Sequence, residues 1–285
     1  MLRRVIAAAL VATLVHGPTA TAQPAGTLQI TLLGTGNPRP NLERFGPSIL
    51  IEAGGQRLLV DAGRGAAQRL FEIGQRPSLI GLDAVLLTHL HSDHTVGLPD
   101  LWLTGWLFGR ARPLPLIGPA GTSQMAAHLT QAYAWDIATR SEDERLPSDG
   151  VRFEARDIAP GVVWDREGLK VTAFTVDHGE VAAPALGYRV DFQGRSAVLS
   201  GDLRYDERIL THARGVDVFV LEVMSPEVEA RRGQVDPPAA AVGSACGVPG
   251  RGAGPGRAGL RRRHRPSHAH EGRRAGSHRG GPRSR

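Results

Sequence analysis

Six consecutive residues constrain the fold of this chain more than any other feature. His89-Leu90-His91-Ser92-Asp93-His94 places three histidines and an aspartate directly after the apolar run at residues 84–87. Residues two apart on an extended chain project from the same face, so His89 and His91 can bind one cation. Asp93 and His94 lie in the turn that follows and can face a second cation. A single loop histidine is usually solvated, but this ligand cluster favours zinc at the end of a buried strand.

Short apolar segments recur between Gly and Pro turns, which is typical of a layered α/β protein. Residues 48–53 and 57–60 flank Gly54-Gly55 and predict a β-hairpin. Apolar residues spaced three and four apart between Leu98 and Leu107 predict a helix that packs on a sheet. Further strands are predicted at residues 28–33, 84–87, 169–176, 186–192, 196–200 and 216–223.

The N-terminal residues have the pattern of a secretory signal peptide. Arg3 and Arg4 precede an apolar run at residues 5–15, and Ala20-Thr21-Ala22 has the small-x-small pattern of a cleavage site. The run is too short to cross a bilayer, and no later segment is apolar enough to do so. We therefore predict a signal peptide at 1–22, no membrane span, a domain at 23–230, and a periplasmic or secreted location.

Residues 231–285 differ in composition from the rest of the chain. They contain thirteen Arg, two acids and no aromatic residue, so they contribute +11 to a net charge of +6 and leave −5 for residues 1–230. Such a segment cannot bury a core. A disordered basic tail that binds polyanions is one interpretation. Translation of a GC-rich gene in a shifted frame is the other, and we favour it because out-of-frame GC-rich codons encode Arg, Gly, Ala and Pro. The lone Cys246 excludes an internal disulfide.

The histidine string resembles the H-x-H-x-D-H signature of the metallo-β-lactamase superfamily. The similarity extends over approximately residues 28–222 and is closest to the ribonuclease Z branch and its arylsulfatase-like relatives. The segments that carry it are Leu33-Gly34-Thr35-Gly36, Asp61-Ala62-Gly63, Gly97-Leu98-Pro99, Gly109-Arg110, Pro113-Leu114 and Gly118-Pro119. The resemblance implies an αββα sandwich with two zinc ions between its sheets.

The same resemblance implies three further site residues. His178 matches the third ligand of the first zinc, and Asp202 matches the carboxylate that bridges both ions. Asp61 resembles a buried acid that orients a ligating histidine, although an aspartate that stabilises the turn before Gly63 is an equal alternative. The family's last histidine ligand has no match in the Arg-rich segment. We therefore expect an impaired second zinc site and an incomplete C-terminal part of the fold.

The implied activity is hydrolysis by a zinc-bound water, with Asp93 as the catalytic residue that orients the water and accepts its proton. The export pattern favours a small ester substrate, either a phosphodiester or a sulfate ester. The net negative charge of residues 1–230 argues against nucleic acid as a partner. Two alternatives stay open: a ribonuclease Z-like tRNA 3′ endonuclease, and an inactive remnant or polyanion-binding protein that uses its basic tail. A homodimer is possible, since the sequence does not determine the oligomeric state.

Overall fold

Six strands form the first of two sheets in the computed structural model, which describes residues 26–223. Their order in the sheet follows the chain from β1 to β6. Strands β1 to β3 pair antiparallel and β3 to β6 pair parallel. The strands are β1 (Leu28–Gly34), β2 (Ser48–Ala53), β3 (Gln56–Val60), β4 (Ala84–Leu86), β5 (Leu114–Gly118) and β6 (Phe153–Asp157).

Five strands form the second sheet, in the order β11-β10-β9-β8-β7. All neighbours pair antiparallel except β10 and β11, which are parallel. The strands are β7 (Gly161–Arg166), β8 (Leu169–Val176), β9 (Ala185–Phe192), β10 (Arg195–Leu199) and β11 (Val218–Val220).

Helices lie between these strands along the chain. They are α1 (Ala66–Ile80), α2 (Ser92–Thr95), α3 (Leu98–Leu107), α4 (Thr122–Ala132), α5 (Ala134–Asp143) and α6 (Ile209–Ala213), with short 3₁₀ turns at Ser148–Val151 and Glu180–Ala182. The predicted helix at residues 98–107 is α3, and its Trp102 and Trp106 side chains are fully buried.

Three hydrophobic clusters separate the layers. One contains Val60 and Tyr188 and lies between the two sheets. A second contains Leu70 of α1 and Trp102 of α3 and covers the outer face of the first sheet. The third packs Ile209 of α6 on Phe174 at the outer face of the second sheet. Helix, sheet, sheet and helix therefore follow one another, and the predicted αββα sandwich is confirmed.

The predicted strands correspond to observed ones; β2 and β8 have the predicted ends, and the ends of the others differ by at most three residues. β11 is the shortest relative to its prediction, because only Val218–Val220 pairs with β10. Eight other elements had no prediction as a helix or strand: α1, α2, α4, α5, α6, β5, β6 and β7. In α1 the helical pattern is interrupted at Gln75, whose φ is 55°, and Pro77 follows. In α5 no side chain is fully buried, so the helix has no strong apolar stripe.

Several predictions lie outside the described residues and stay predictions. These are the signal peptide at 1–22, the limits of the domain at 23–230, the Arg-rich segment at 231–285 and the incomplete C-terminal part. Among the residues that the structure describes, no helix has the length and hydropathy needed to cross a membrane.

Candidate metal centre

The predicted ligands come together at the edge of the sandwich where several strands end. His89 follows β4 by three residues, and α2 carries Asp93 and His94. His178 follows the end of β8, and Asp202 follows the end of β10. Two contacts join the sheets here: Leu186 N donates to Thr88 O at 2.9 Å, and Tyr188 Oη donates to Leu87 O at 2.6 Å. Candidate ligands from both sheets therefore lie at this edge.

Three histidine nitrogens converge at the more open side of this edge. His89 Nε2 lies 3.0 Å from His91 Nδ1, and His178 Nε2 lies 3.2 Å from the same atom. Nitrogens at about 2.05 Å from a tetrahedral zinc ion are about 3.3 Å apart. The observed separations match that spacing, so these three residues can hold a cation.

A nitrogen and two carboxylates converge at the buried side. His94 Nε2 lies 3.1 Å from Asp202 Oδ1 and 3.6 Å from Asp93 Oδ2. This nitrogen is buried and makes no hydrogen bond with suitable geometry. An unpaired buried polar atom is costly, and a cation among these oxygens would satisfy it. His89, His94 and Asp202 also lie close enough together to share an ion.

Asp61 and Thr88 orient two of the histidine rings. Asp61 Oδ2 lies 2.8 Å from His94 Nδ1, and its carboxylate accepts hydrogen bonds from the Thr88 backbone N at 2.8 Å and the Thr88 hydroxyl at 2.9 Å. Thr88 Oγ1 lies 3.0 Å from His89 Nδ1. Because the hydroxyl proton goes to Asp61, Thr88 accepts from His89. The Asp61 carboxylate likewise accepts from His94, so both rings carry a proton on Nδ1 and direct Nε2 towards the centre.

Asp61 lies where both of its predicted roles would place it. Its backbone has a left-handed φ of 60°, and its N donates to Leu86 O at 2.8 Å. Next to it, Ala62 N donates to His94 O at 2.8 Å. A Cβ on Gly63 would lie only 2.5 Å from Asp93 O, so this position requires glycine. The turn at residues 61–63 thus holds α2 in place while the Asp61 carboxylate contacts His94.

Burial and neighbouring charges shift the pKa values of the clustered groups in the metal-free protein. Burial, reinforced by His94, lowers the pKa of His89 to about 3. Burial also disfavours a charged His94, but the Asp61 and Asp202 carboxylates outweigh it and raise its pKa to about 11. Burial opposes ionisation of Asp202, yet the contact with His94 lowers the pKa of this carboxyl. Burial lowers the pKa of His178. His89 and His178 are thus neutral, as metal ligands must be.

Three residues at the centre were missed by the sequence analysis: Thr88, Tyr188 and Glu222. Glu222 lies just after β11, and its Oε2 accepts a hydrogen bond from Leu203 N at 3.1 Å. Burial, with repulsion from Asp202, raises the pKa of Glu222 to about 7. Its position after a strand of the second sheet is the signal that could have identified it, because His178 and Asp202 occupy the same kind of position.

Comparison with known proteins places this chain in a family. The family described as "Beta-lactamase superfamily domain" matches residues 56–248. The ribonuclease Z of Mycobacterium marinum (strain ATCC BAA-535 / M) is 44% identical over 178 residues, which cover 61% of this chain and 63% of that protein. The ribonuclease Z of Mycobacterium bovis (strain BCG / Pasteur 1173P2) is 39% identical over 204 residues, 70% of this chain and 72% of its own length. The alignment thus spans less than two thirds of the M. marinum protein.

Solved structures agree on the fold. Human tRNase Z, short form, superimposes with a TM-score of 0.54 at 21% identity, over 71% of this chain and 81% of the human chain. The metallo-beta-lactamase fold protein YhfI from Bacillus subtilis has a TM-score of 0.52 at 18% identity, over 67% of this chain and 70% of its own. The chain belongs to the beta-lactamase superfamily and has the metallo-β-lactamase fold.

Proposed function

We propose that this protein is a zinc-dependent hydrolase of phosphodiester bonds with a ribonuclease Z-like activity on the 3′ ends of tRNA precursors. One observation carries the proposal. Two groups of metal-capable side chains meet at one edge of the fold, in a chain whose curated relatives are named ribonuclease Z. Of the two substrate classes that the sequence left open, these relatives favour RNA over a small ester.

The proposed zinc-binding and catalytic roles fall on different side chains of the centre. His89, His91 and His178 would hold one zinc ion, and Asp93, His94 and Asp202 a second. Zinc, when bound, lowers the pKa of a water molecule and stabilises charge on an ester oxygen. Asp93 is the predicted catalytic residue: its carboxylate, 3.6 Å from His94 Nε2, would orient the attacking water and accept its proton.

A second candidate is an exported hydrolase of small phosphodiesters or sulfate esters. The pattern of Arg3 and Arg4 before an apolar run supports export. Residues 1–230 have a net charge of −5, whereas RNA binding usually needs a basic surface. This second candidate function implies a periplasmic or secreted location. Fractionation of cells that express the full chain tests it.

Cleavage assays with three substrates distinguish the two candidate functions. The full chain, purified and supplied with zinc, is incubated with a tRNA precursor that carries a 3′ trailer, with bis(p-nitrophenyl) phosphate, and with p-nitrophenyl sulfate. We expect cleavage of the precursor at a single position, and loss of that cleavage in His91→Ala. His128→Ala is the matched control, because His128 is an exposed histidine on α4 outside both groups.

Each other outcome has a distinct meaning. Cleavage of a small ester without processing of the precursor would favour the exported hydrolase. Zinc binding without cleavage of any substrate would overturn both. In that case salt-dependent binding of RNA would support the polyanion-binding alternative.

A further inference from the structure

Arg204 lies beside the open side of the metal centre. It follows Asp202 by two residues, and its backbone N donates a hydrogen bond to Asp177 O at 2.6 Å. This bond joins the loop that carries Asp202 to the loop that carries His178. The Arg204 side chain then lies against Gly179, the residue next to His178.

Gly179 provides the space for the guanidinium group. A Cβ at this position would lie 2.9 Å from Arg204 Nη2 and 3.1 Å from Arg204 Cζ, closer than an unshifted neighbour allows. The φ of Gly179 is 95°, a backbone conformation that residues with side chains rarely adopt. The same glycine therefore shapes the loop after His178 and leaves room for a cation next to it.

Among residues 26–223, no group forms a hydrogen bond or an ion pair with the Arg204 guanidinium. It is also exposed to solvent. Arg208, four residues later, differs: its Nε lies 2.8 Å from Asp206 Oδ2 and its Nη2 lies 2.7 Å from the same oxygen. Arg189 is paired with Asp191 in the same way. Within the described part of the chain, Arg204 thus has free donors at the open side of a centre that also contains the carboxylates of Asp93 and Asp202.

We infer that Arg204 is a substrate-binding residue that holds a non-bridging oxygen of the phosphodiester beside His178. This inference rests on the proposed function. A planar guanidinium suits the task, because it presents parallel N–H donors to two oxygens of one phosphate. It would also offset the repulsion between an anionic substrate and the carboxylates of Asp93 and Asp202.

The test measures anion binding and turnover separately. Inorganic phosphate is titrated calorimetrically into the zinc-loaded full-length protein, and KM and kcat are measured with bis(p-nitrophenyl) phosphate. For Arg204→Gln we expect the Kd of phosphate and the KM to rise by about tenfold or more, as loss of charge-assisted hydrogen bonds predicts, with a smaller change in kcat. Arg204→Lys should restore part of the loss, and Arg208→Gln should match the unchanged protein.

Gly179→Ala provides a second, independent variant. It leaves the charge of the protein unchanged but places a methyl group 2.9 Å from the present position of Arg204 Nη2, so the guanidinium must move away from His178 and phosphate binding should weaken in the same direction. Added to Arg204→Gln it should cause little further loss, because both changes remove one contact. Zinc content is measured in every variant, so that a displaced His178 is recognised.

The outcomes distinguish this inference from the proposed function. If the unchanged protein binds phosphate but does not cleave the diester, the proposed function fails and the phosphate titrations still decide the role of Arg204. If Arg204→Gln binds phosphate as tightly as the unchanged protein at equal zinc content, the inference is wrong. Absence of phosphate binding by the unchanged zinc-loaded protein would also overturn it.

Discussion

The two sides of the metal centre are built differently. On the buried side, His94 is 1% exposed and contacts carboxylates at both ring nitrogens, Asp61 at Nδ1 and Asp202 at Nε2. On the open side, His91 is exposed and His178 is partly buried, and their facing nitrogens contact each other, while that of His91 also contacts His89. The buried side is therefore preorganised and negatively charged, whereas the open side is neutral and accessible. We expect substrate to enter from the open side and proton transfer to depend on the buried side.

The largest expected effect comes from Asp93 on the buried side. Asp93→Ala removes the carboxylate that would take the proton, and general-base catalysis contributes on the order of 10²–10⁴ in rate. We expect kcat with the phosphodiester to fall by about that factor, while zinc bound by His89, His91 and His178 is retained. Steady-state kinetics and metal analysis of the same preparation check this. Full turnover in Asp93→Ala would remove Asp93 from the mechanism.

Asp61 tests whether the buried side owes its order to a hydrogen bond. Asp61→Asn keeps an oxygen that accepts from Thr88 N but places a neutral amide beside His94 Nδ1. The charged hydrogen bond between the carboxylate and the His94 ring is therefore lost. Loss of such an orienting acid typically weakens metal binding by about 10- to 100-fold. We expect that loss for one of two zinc ions in competition titrations with a chelating dye. Equal weakening of both ions would contradict the division into two sides.

The pH dependence of stability should report the charge on the buried side. His94 has a pKa of about 11 in the folded, metal-free protein, above the ordinary 6.5. Its stabilising contribution is therefore complete below pH 6.5 and is lost as pH rises towards 11, with a slope of at most about 1.4 kcal/mol per pH unit. His89, with a pKa of about 3, has the opposite sign: stability rises with pH between about 3 and 6.5.

Urea unfolding of the chelator-treated protein measures this slope. We expect the free energy of unfolding to decrease from pH 7 to pH 9, and to decrease less in Asp61→Asn, where the pKa of His94 should be lower. A free energy of unfolding that does not decrease over this range would contradict a protonated His94 in the folded protein.

The smallest effect is expected at Thr88, which links the two sides. Thr88→Val keeps the shape but removes the hydroxyl that contacts both Asp61 and His89. One neutral hydrogen bond contributes about 1 kcal/mol, so we expect zinc affinity to fall by less than about tenfold. Thr88→Ser, which retains the hydroxyl, is the control. If Val and Ser variants bind zinc equally, the Thr88 hydroxyl does not set the tautomer of His89.

Local sequence patterns predicted the elements that carry the site better than the elements around it. The strand before His89, the strands before His178 and Asp202, and helix α3 have strong apolar patterns, because each is buried on at least one face. Strand β6 has no fully buried residue, and α5 has none either, so neither has a pattern to recognise. Elements at the periphery owe their structure to neighbours that are distant in sequence.

The sequence by itself determined the types of the candidate ligands, their order and the strand ends at which they lie, because spacing along a strand and the H-x-H-x-D-H string are local properties. Only the tertiary structure decided which nitrogen of each histidine faces the centre, that Asp61 and Thr88 orient the rings, and that Arg204 lies beside His178. These depend on contacts across tens of residues, such as Asp61 with His94 or Gly179 with Arg204. Hydrogen-bond geometry and burial arise only when the two sheets close on one another, and no short segment encodes them alone.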